Sequence, residues 1–189
     1  MDLSYSLLFT LPGTPVLRYG QEIGMGEDLS LDERESVRTL MQWSDGKNGG
    51  FSEASENKLV RPIISEGPFG YKKVNVNDQH RDPDSFLNWV ARAINTRKET
   101  PEFGWGEYEV IKTGDPEVLC HLRKSSKGTA LAVHNFSNKK KKIKLELEEA
   151  ENVTDIYGDK KYEKFDPKKQ EIILSPRGYR WLRKRKLIL

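Results

Sequence analysis

Arg38, Gln42 and Trp43 bring a guanidinium fork, an amide and an indole into one short run. That mixture suits a sugar. An aromatic face covers the apolar side of the ring, and fork-like donors reach the hydroxyls. Upstream, Leu11-Pro-Gly-Thr-Pro-Val-Leu-Arg-Tyr-Gly-Gln-Glu-Ile-Gly-Met25 turns a short apolar run into a polar, Gly-rich loop carrying Gln21 and Glu22. By composition alone the same residues also describe an ordinary ion-paired loop anchored by a tryptophan.

Other chemistry has less support. His80, His121 and His134 lack metal-ligand spacing, and a metal centre needs three or four convergent ligands. They read as structural or surface histidines, and no metal or cofactor is expected. No GxSxG, P-loop or GxGxxG pattern occurs, so a nucleophile elbow and a nucleotide cradle have no basis. The single cysteine, Cys120, lies in a strand-like run and reads as a buried thiol; one cysteine also excludes an intramolecular disulfide. Lys139–Lys142 and a basic C-terminus with Arg177, Arg180, Arg183, Lys184, Arg185 and Lys186 could grip a phosphate backbone. Glu146, Glu148, Glu149 and Glu151 nearly neutralise the lysine run, so a solvated turn and a fraying tail is the stronger reading.

The elements that hold these residues change character near residue 101. Tyr5–Leu11 reads as the end of a buried helix stopped by Pro12-Gly13. Val16–Tyr19 reads as one buried strand. A strand running into a Gly-rich loop is the arrangement that places active-site loops at the C-terminal face of a (β/α)8 barrel. Residues 20–80 show little periodicity, and long connections of that kind are often functional. A helix is predicted from Asp82, as cap, and Pro83, with Phe86, Trp89, Val90 and Ile94 on its apolar face, ending near Thr100 before Pro101.

After Glu107 the pattern shortens to strand-sized runs: Tyr108–Lys112, Val118–Lys124, Thr129–Phe136, Lys141–Leu147, Val153–Tyr157, Tyr162–Phe165, Glu171–Leu174 and Tyr179–Arg183. Their spacing predicts an antiparallel sandwich.

Composition bounds the class. The 189 residues carry 32 Lys+Arg against 29 Asp+Glu, a net charge of +3, which by itself implies no nucleic-acid partner. Four Trp, seven Tyr and seven Phe supply area for a core, which excludes a disordered chain. Neither a membrane-length apolar run nor a signal-peptide pattern is present, so a cytoplasmic protein without a membrane partner is expected.

Essentially the whole chain, strongly over residues 5–100 and more loosely over the strand-rich part, resembles the α-amylase superfamily of retaining glycosidases and transglycosylases. Leu11–Met25 resembles its eighth barrel strand and the loop after it. Arg38–Trp43 with Gly50-Phe-Ser52 is similar to the "RTPMQW…GFS" stretch of its α-glucosidase and trehalose synthase branches. Val74-Asn-Val76, Asp82–Ser85 and the helix to Arg97-Lys98 fit the next part of the family pattern. Met25-Gly-Glu-Asp-Leu-Ser30 and Leu87-Asn-Trp89 resemble the trehalose synthase (maltose α-D-glucosyltransferase) version. Leu40 stands where that pattern has Pro, and Asn77-Asp78 replaces Glu-Ala.

The resemblance implies Arg38 and Gln42 as sugar contacts, Trp43 as their packing neighbour, and Gln21 and Glu22 as loop-organising residues. It also implies that the carboxylate nucleophile, the acid/base and a third carboxylate come after the fourth, fifth and seventh barrel strands, upstream of Met1. The expected fold is therefore α+β. Residues 1–104 would be the remnant of the last β/α unit of a (β/α)8 barrel, and 105–189 a C-terminal all-β antiparallel sandwich. The expected function is the C-terminal part of a trehalose synthase-like α-glucosyltransferase acting on maltose or another α-glucoside, inactive alone. It would pair with the missing barrel portion or form a homodimer through its exposed strand. Two alternatives are a free-standing, non-catalytic sandwich that binds α-glucan or steadies a partner, and a basic nucleic-acid module.

Overall fold

The structure, a computed structural model, describes residues 1–147 and 150–185. The chain forms two compact units, one made of Met1–Pro15 with Ala93–Leu189 and the other of Val16–Arg92. The helices are α1 (Asp2–Thr10), α2 (Val76–Arg81), α3 (Phe86–Glu99) and α4 (Glu102–Trp105). The strands are β1 (Glu107–Ile111), β2 (Val118–Ser125), β3 (Gly128–Asn135), β4 (Lys141–Lys144), β5 (Val153–Gly158), β6 (Glu171–Leu174) and β7 (Tyr179–Arg185).

In the first unit β1-β2-β3-β7-β5 form one antiparallel sheet, and β4 pairs with β6 in a second. Alternation explains why both faces of the larger sheet are buried. Val118 and Cys120 of β2, Leu131 and Val133 of β3, and Leu182 of β7 share a core with Ile143, Leu145, Phe165, Ile172 and Leu174. Burial pushes the Cys120 thiol up to about 12, so it is an inert packing group.

The intervening residues His121, Ala130, Ala132, His134, Tyr179 and Trp181 face the other way, and all are fully buried. There α1 and α4 meet the sheet. Phe103 sits edge-on to Trp181 at 5.4 Å, and the Trp181 indole N–H donates to Ser6 Oγ at 2.7 Å. Each such aromatic contributes about 1.5–3 kcal/mol by burial. Beside them Arg183 donates to Glu102 Oε1 at 2.9 Å, both side chains being almost wholly out of solvent, and to the Glu99 carbonyl at 2.8 Å.

The structure departs from the sequence-based expectation at three strand-like runs. Tyr162–Phe165 is not a strand. Tyr162 is held by its side chain, its hydroxyl donating to Asp159 Oδ1 at 2.6 Å and accepting from the Ser175 N–H, while Phe165 drops into the core. The Lys141–Leu147 run pairs only to Lys144. Beyond it the Leu145 N–H donates to the Gln170 carbonyl and the Leu147 N–H to Gln170 Oε1, replacing the ladder.

Val16–Tyr19 is likewise not a buried strand. It is irregular, Val16 is 79% exposed, and the main chain of Arg18 is taken by Gln21, whose Oε1 accepts from the Arg18 N–H and whose own N–H donates back to the Arg18 carbonyl. A strand exists only through a ladder, and no described strand supplies one.

The second unit has almost no repetitive structure before α2. Its order comes from buried amides. Asn75 caps α2, its Oδ1 accepting from the Asp78 N–H at 2.9 Å while its Nδ2 donates to Asp78 Oδ2 and the Tyr71 carbonyl. Gln79 Nε2 donates to the Ile23 carbonyl at 2.7 Å, and its Oε1 accepts from the Leu87 N–H. The cap of α3 is Ser85 rather than Asp82. Ser85 Oγ accepts from the Asn88 N–H, and Asp82 closes the preceding turn by accepting from the Asp84 N–H. Phe86 and Trp89 then stack at 5.7 Å, and Trp89 and Val90 are buried, as helical spacing requires.

Candidate functional site

All five residues singled out in the sequence belong to the second unit, in the loops that precede α2. The first loop is bracketed by Gly20 and Gly24, both left-handed, around the turn Gln21–Ile23. At Gly20 a Cβ would approach Met25 Sδ to 2.5 Å, so glycine is needed for space as well as for backbone freedom. Gln21 ties this loop to Arg18 through its amide oxygen, and Glu22 is half-buried beside it. Gln21 thus closes a tight turn with Arg18 through its side chain and its main chain.

Arg38 ends the turn Glu33–Val37, and its side chain is 54% exposed. Its guanidinium lies 3.5 Å from Glu35, which Arg61 also contacts. Two exposed cations thus flank one carboxylate. Gln42 behaves differently. Its side chain is fully buried and its Nε2 donates to the carbonyls of Phe69 (3.0 Å) and Val74. Its main-chain carbonyl accepts from the Val76 N–H at 3.0 Å. Gln42 is therefore a tie between two loops, and its amide N–H groups are not available to a ligand.

Trp43 is 47% exposed on a backbone clamped at both ends, its N–H donating to the Gly49 carbonyl at 2.7 Å and its carbonyl accepting from the Asn77 N–H at 3.0 Å. The Gly49 side of this clamp requires positive φ at Asn48, Gly49 and Gly50, and a Cβ on Gly49 would come within 2.4 Å of Ile63. Asn48 Nδ2 secures the bend by donating to the Ser52 and Ala54 carbonyls. The site thus offers a half-exposed indole and an exposed guanidinium on loops fixed by Gln42, Asn48, Asn75 and Gln79. Residue types alone did not separate Gln42 from a ligand contact or bring out the three other amides. The Asn75-x-x-Asp78 spacing, an N-cap with an acid at the third helical position, was the one legible signal.

Among the described residues no three His, Cys, Asp or Glu side chains converge as a metal would need. No helix of the described residues is long and apolar enough to cross a membrane.

The α-amylase catalytic domain family matches residues 1–106, and the maltogenic amylase C-terminal domain family matches residues 108–181. The chain belongs to the α-amylase family. It is similar to the trehalose synthase of Pimelobacter sp. (strain R48), at 35% identity over 97% of this chain and 33% of that protein. It is also similar to the trehalose synthase of Thermus thermophilus, at 38% identity over 78% of this chain and 15% of that protein. The α-amylase structure from H. orenii matches at 27% identity with a TM-score of 0.73, over 97% of this chain and 35% of that one. An isomaltulose synthase from Erwinia rhapontici NX5 shares the fold, with a TM-score of 0.76 at 19% identity, over 98% of this chain and 38% of that one. The chain spans about a third of the Pimelobacter relative.

Proposed function

We propose that this chain serves as the C-terminal part of a trehalose synthase-like α-glucosyltransferase acting on maltose or a related α-glucoside. The observation that carries this reading is the 35% identity to a trehalose synthase along 97% of the chain. Retaining chemistry at an anomeric carbon needs two carboxylates about 5–5.5 Å apart, one attacking and one shuttling a proton. On this reading both belong to other parts of the family fold. Its share of the work is the rim: Arg38 as hydroxyl donor, Trp43 as an aromatic wall, and Gln42 as the positioning residue that holds Trp43 through the loop backbone. The reactive acids come from the remaining barrel portion, which is its partner. Incubating the 189-residue chain with maltose is expected to give neither trehalose nor glucose. Sustained turnover abolished by Glu22→Gln would overturn the reading.

A second reading, retention of α-glucan by the sandwich, draws on Trp105 at 89% exposure and the half-exposed Tyr108 on β1. Retardation in an amylose gel that Trp105→Ala abolishes would support it. The nucleic-acid alternative is weakened by the use of its cations. Arg180 is buried against Asp155, Arg183 against Glu102, and Lys141 bridges Asp115 and Glu117. Lys186, and the Glu148 and Glu149 that offset the lysine run, lie outside the described residues.

A further inference from the structure

Two imidazoles lie face to face inside the contact between α1 and the five-stranded sheet. His121 of β2 and His134 of β3 are fully buried, their ring centroids 5.6 Å apart and their planes 7° from parallel. Of their four nitrogens one is hydrogen-bonded, His134 Nε2 to Ser6 Oγ at 2.9 Å; His134 Nδ1 and both nitrogens of His121 have no such partner among the described residues. Ser6 also accepts from the Trp181 indole, and its hydroxyl donates to His134 Nε2 or accepts from it according to the tautomer of the neutral ring.

Burial disfavours an imidazolium at both rings and outweighs the Thr10 backbone at His121 and the Ser6 backbone at His134, which favour one. The α1 helix presents the Ser6 hydroxyl and the Thr10 backbone. Tyr108 of β1 tilts against His121 at 5.5 Å, and Tyr179 of β7 lies 6.3 Å from His134. The charged neighbour on β2 is Arg123, itself close to Arg97 of α3; Arg183 of β7 is already matched by Glu102 of α4. No carboxylate contacts either ring among the described residues.

We infer that the stacked His121–His134 pair is an acid-sensitive latch, closed while both rings are neutral and opening the contact between α1 and the sheet when either gains a proton. The latch joins the two family domains, since α1 falls in the match to the catalytic domain and β2 and β3 fall in the match to the C-terminal domain. Burial holds His121 down to about 4, with Arg123 acting the same way, and His134 down to about 3, with His121 adding to burial. A solvated histidine titrates near 6.5. The opened form therefore binds more protons than the closed form below about pH 6.5, and closure weakens steadily until the folded values are reached.

Hydrogen exchange of the whole chain, corrected at each pH with an unstructured peptide, tests this. Protection of the α1 amides is expected to fall at least about tenfold between about pH 7 and pH 5, a window above the carboxylate range, while the β2–β3 amides stay protected. His121→Leu, which removes two unpartnered nitrogens, combined with His134→Gln, which can still meet Ser6, should flatten the dependence. If that variant does not fold, imidazole resonances of the native chain decide, with exposed His80 as reference. Protonation of His121 or His134 near the solvated value with α1 still protected, or α1 protection unchanged across the same window, would overturn the latch.

Discussion

Gln42 and Arg38 stand four residues apart in the chain and do opposite kinds of work. Gln42 Nε2 satisfies two backbone carbonyls, so removing it strands both acceptors out of water. Gln42→Leu is expected to cost about 1–3 kcal/mol, the penalty for unsatisfied buried polar groups, and Gln42→Glu more, because a carboxylate would face carbonyl oxygens. Urea unfolding monitored by tryptophan emission measures both. Arg38→Ala removes an exposed ion pair worth no more than about 1 kcal/mol, so the urea midpoint should hardly move. Any effect of Arg38→Ala on KM in a complete enzyme would then report sugar contact rather than folding. The buried Glu102–Arg183 pair behaves as neither. Glu102→Ala leaves a guanidinium without its counter-charge, and a loss of about 3–5 kcal/mol is expected in the same assay. Residue identity grouped Arg38, Gln42 and Trp43 by chemistry, but it did not reveal that Gln42 faces inward, because its partners Phe69 and Val74 are loop carbonyls that leave no mark on sequence. Leu40 makes the same point: its N–H donates to the Pro62 carbonyl at 3.2 Å, a bond a proline there could not form.

Periodicity and position explain which elements were legible. The apolar stripe of α3 survives in the structure, because burial of one helix face imposes it on the sequence, and β2, β3 and β7 form where strand-sized runs stand between turn residues, although both their faces are buried. Val16–Tyr19 and Tyr162–Phe165 misled because they have strand-like composition without a ladder partner, and ladder pairing is a property of the neighbour rather than of the segment. The α1 contact shows how an element is held by few groups. Its buried residues are Ser6, Phe9 and Thr10, and the Ser6 hydroxyl links α1 to both His134 and Trp181. Ser6→Ala leaves the Trp181 N–H and His134 Nε2 without their partner, so a loss of about 1–3 kcal/mol is expected. Ser6→Thr, which keeps the hydroxyl, should recover part of it. Comparing the thermal midpoints of the two variants separates the hydrogen bonds from the packing of α1. On the opposite face of the sheet Cys120 is sealed in an apolar core, and it should stay unreactive to thiol reagents until global unfolding.

At the scale of the molecule, the two family matches join a catalytic-domain segment, residues 1–106, to a C-terminal domain, residues 108–181. The second unit carries several exposed apolar residues. Val16, Leu29 and Val60 are more than three-quarters exposed, and Tyr19, Trp43, Phe51 and Phe69 are exposed by two-fifths or more. Exposed apolar surface of this kind is the feature that recruits another chain. Residues 16 and 17 are the place to test it, since the Arg18 main chain is already engaged by Gln21. The 189-residue chain of 21.8 kDa is expected to elute above its monomer mass in size-exclusion chromatography with light scattering. Val16→Lys, which puts a charge where neither fold nor candidate sugar contacts need Val16, should restore the monomer without lowering the urea midpoint. Adding a barrel polypeptide that lacks these residues should compete with self-association, and maltose turnover should appear only in that mixture. A monomer at high concentration that still acquires turnover from the barrel polypeptide would separate the two partners, removing the homodimer and leaving the barrel.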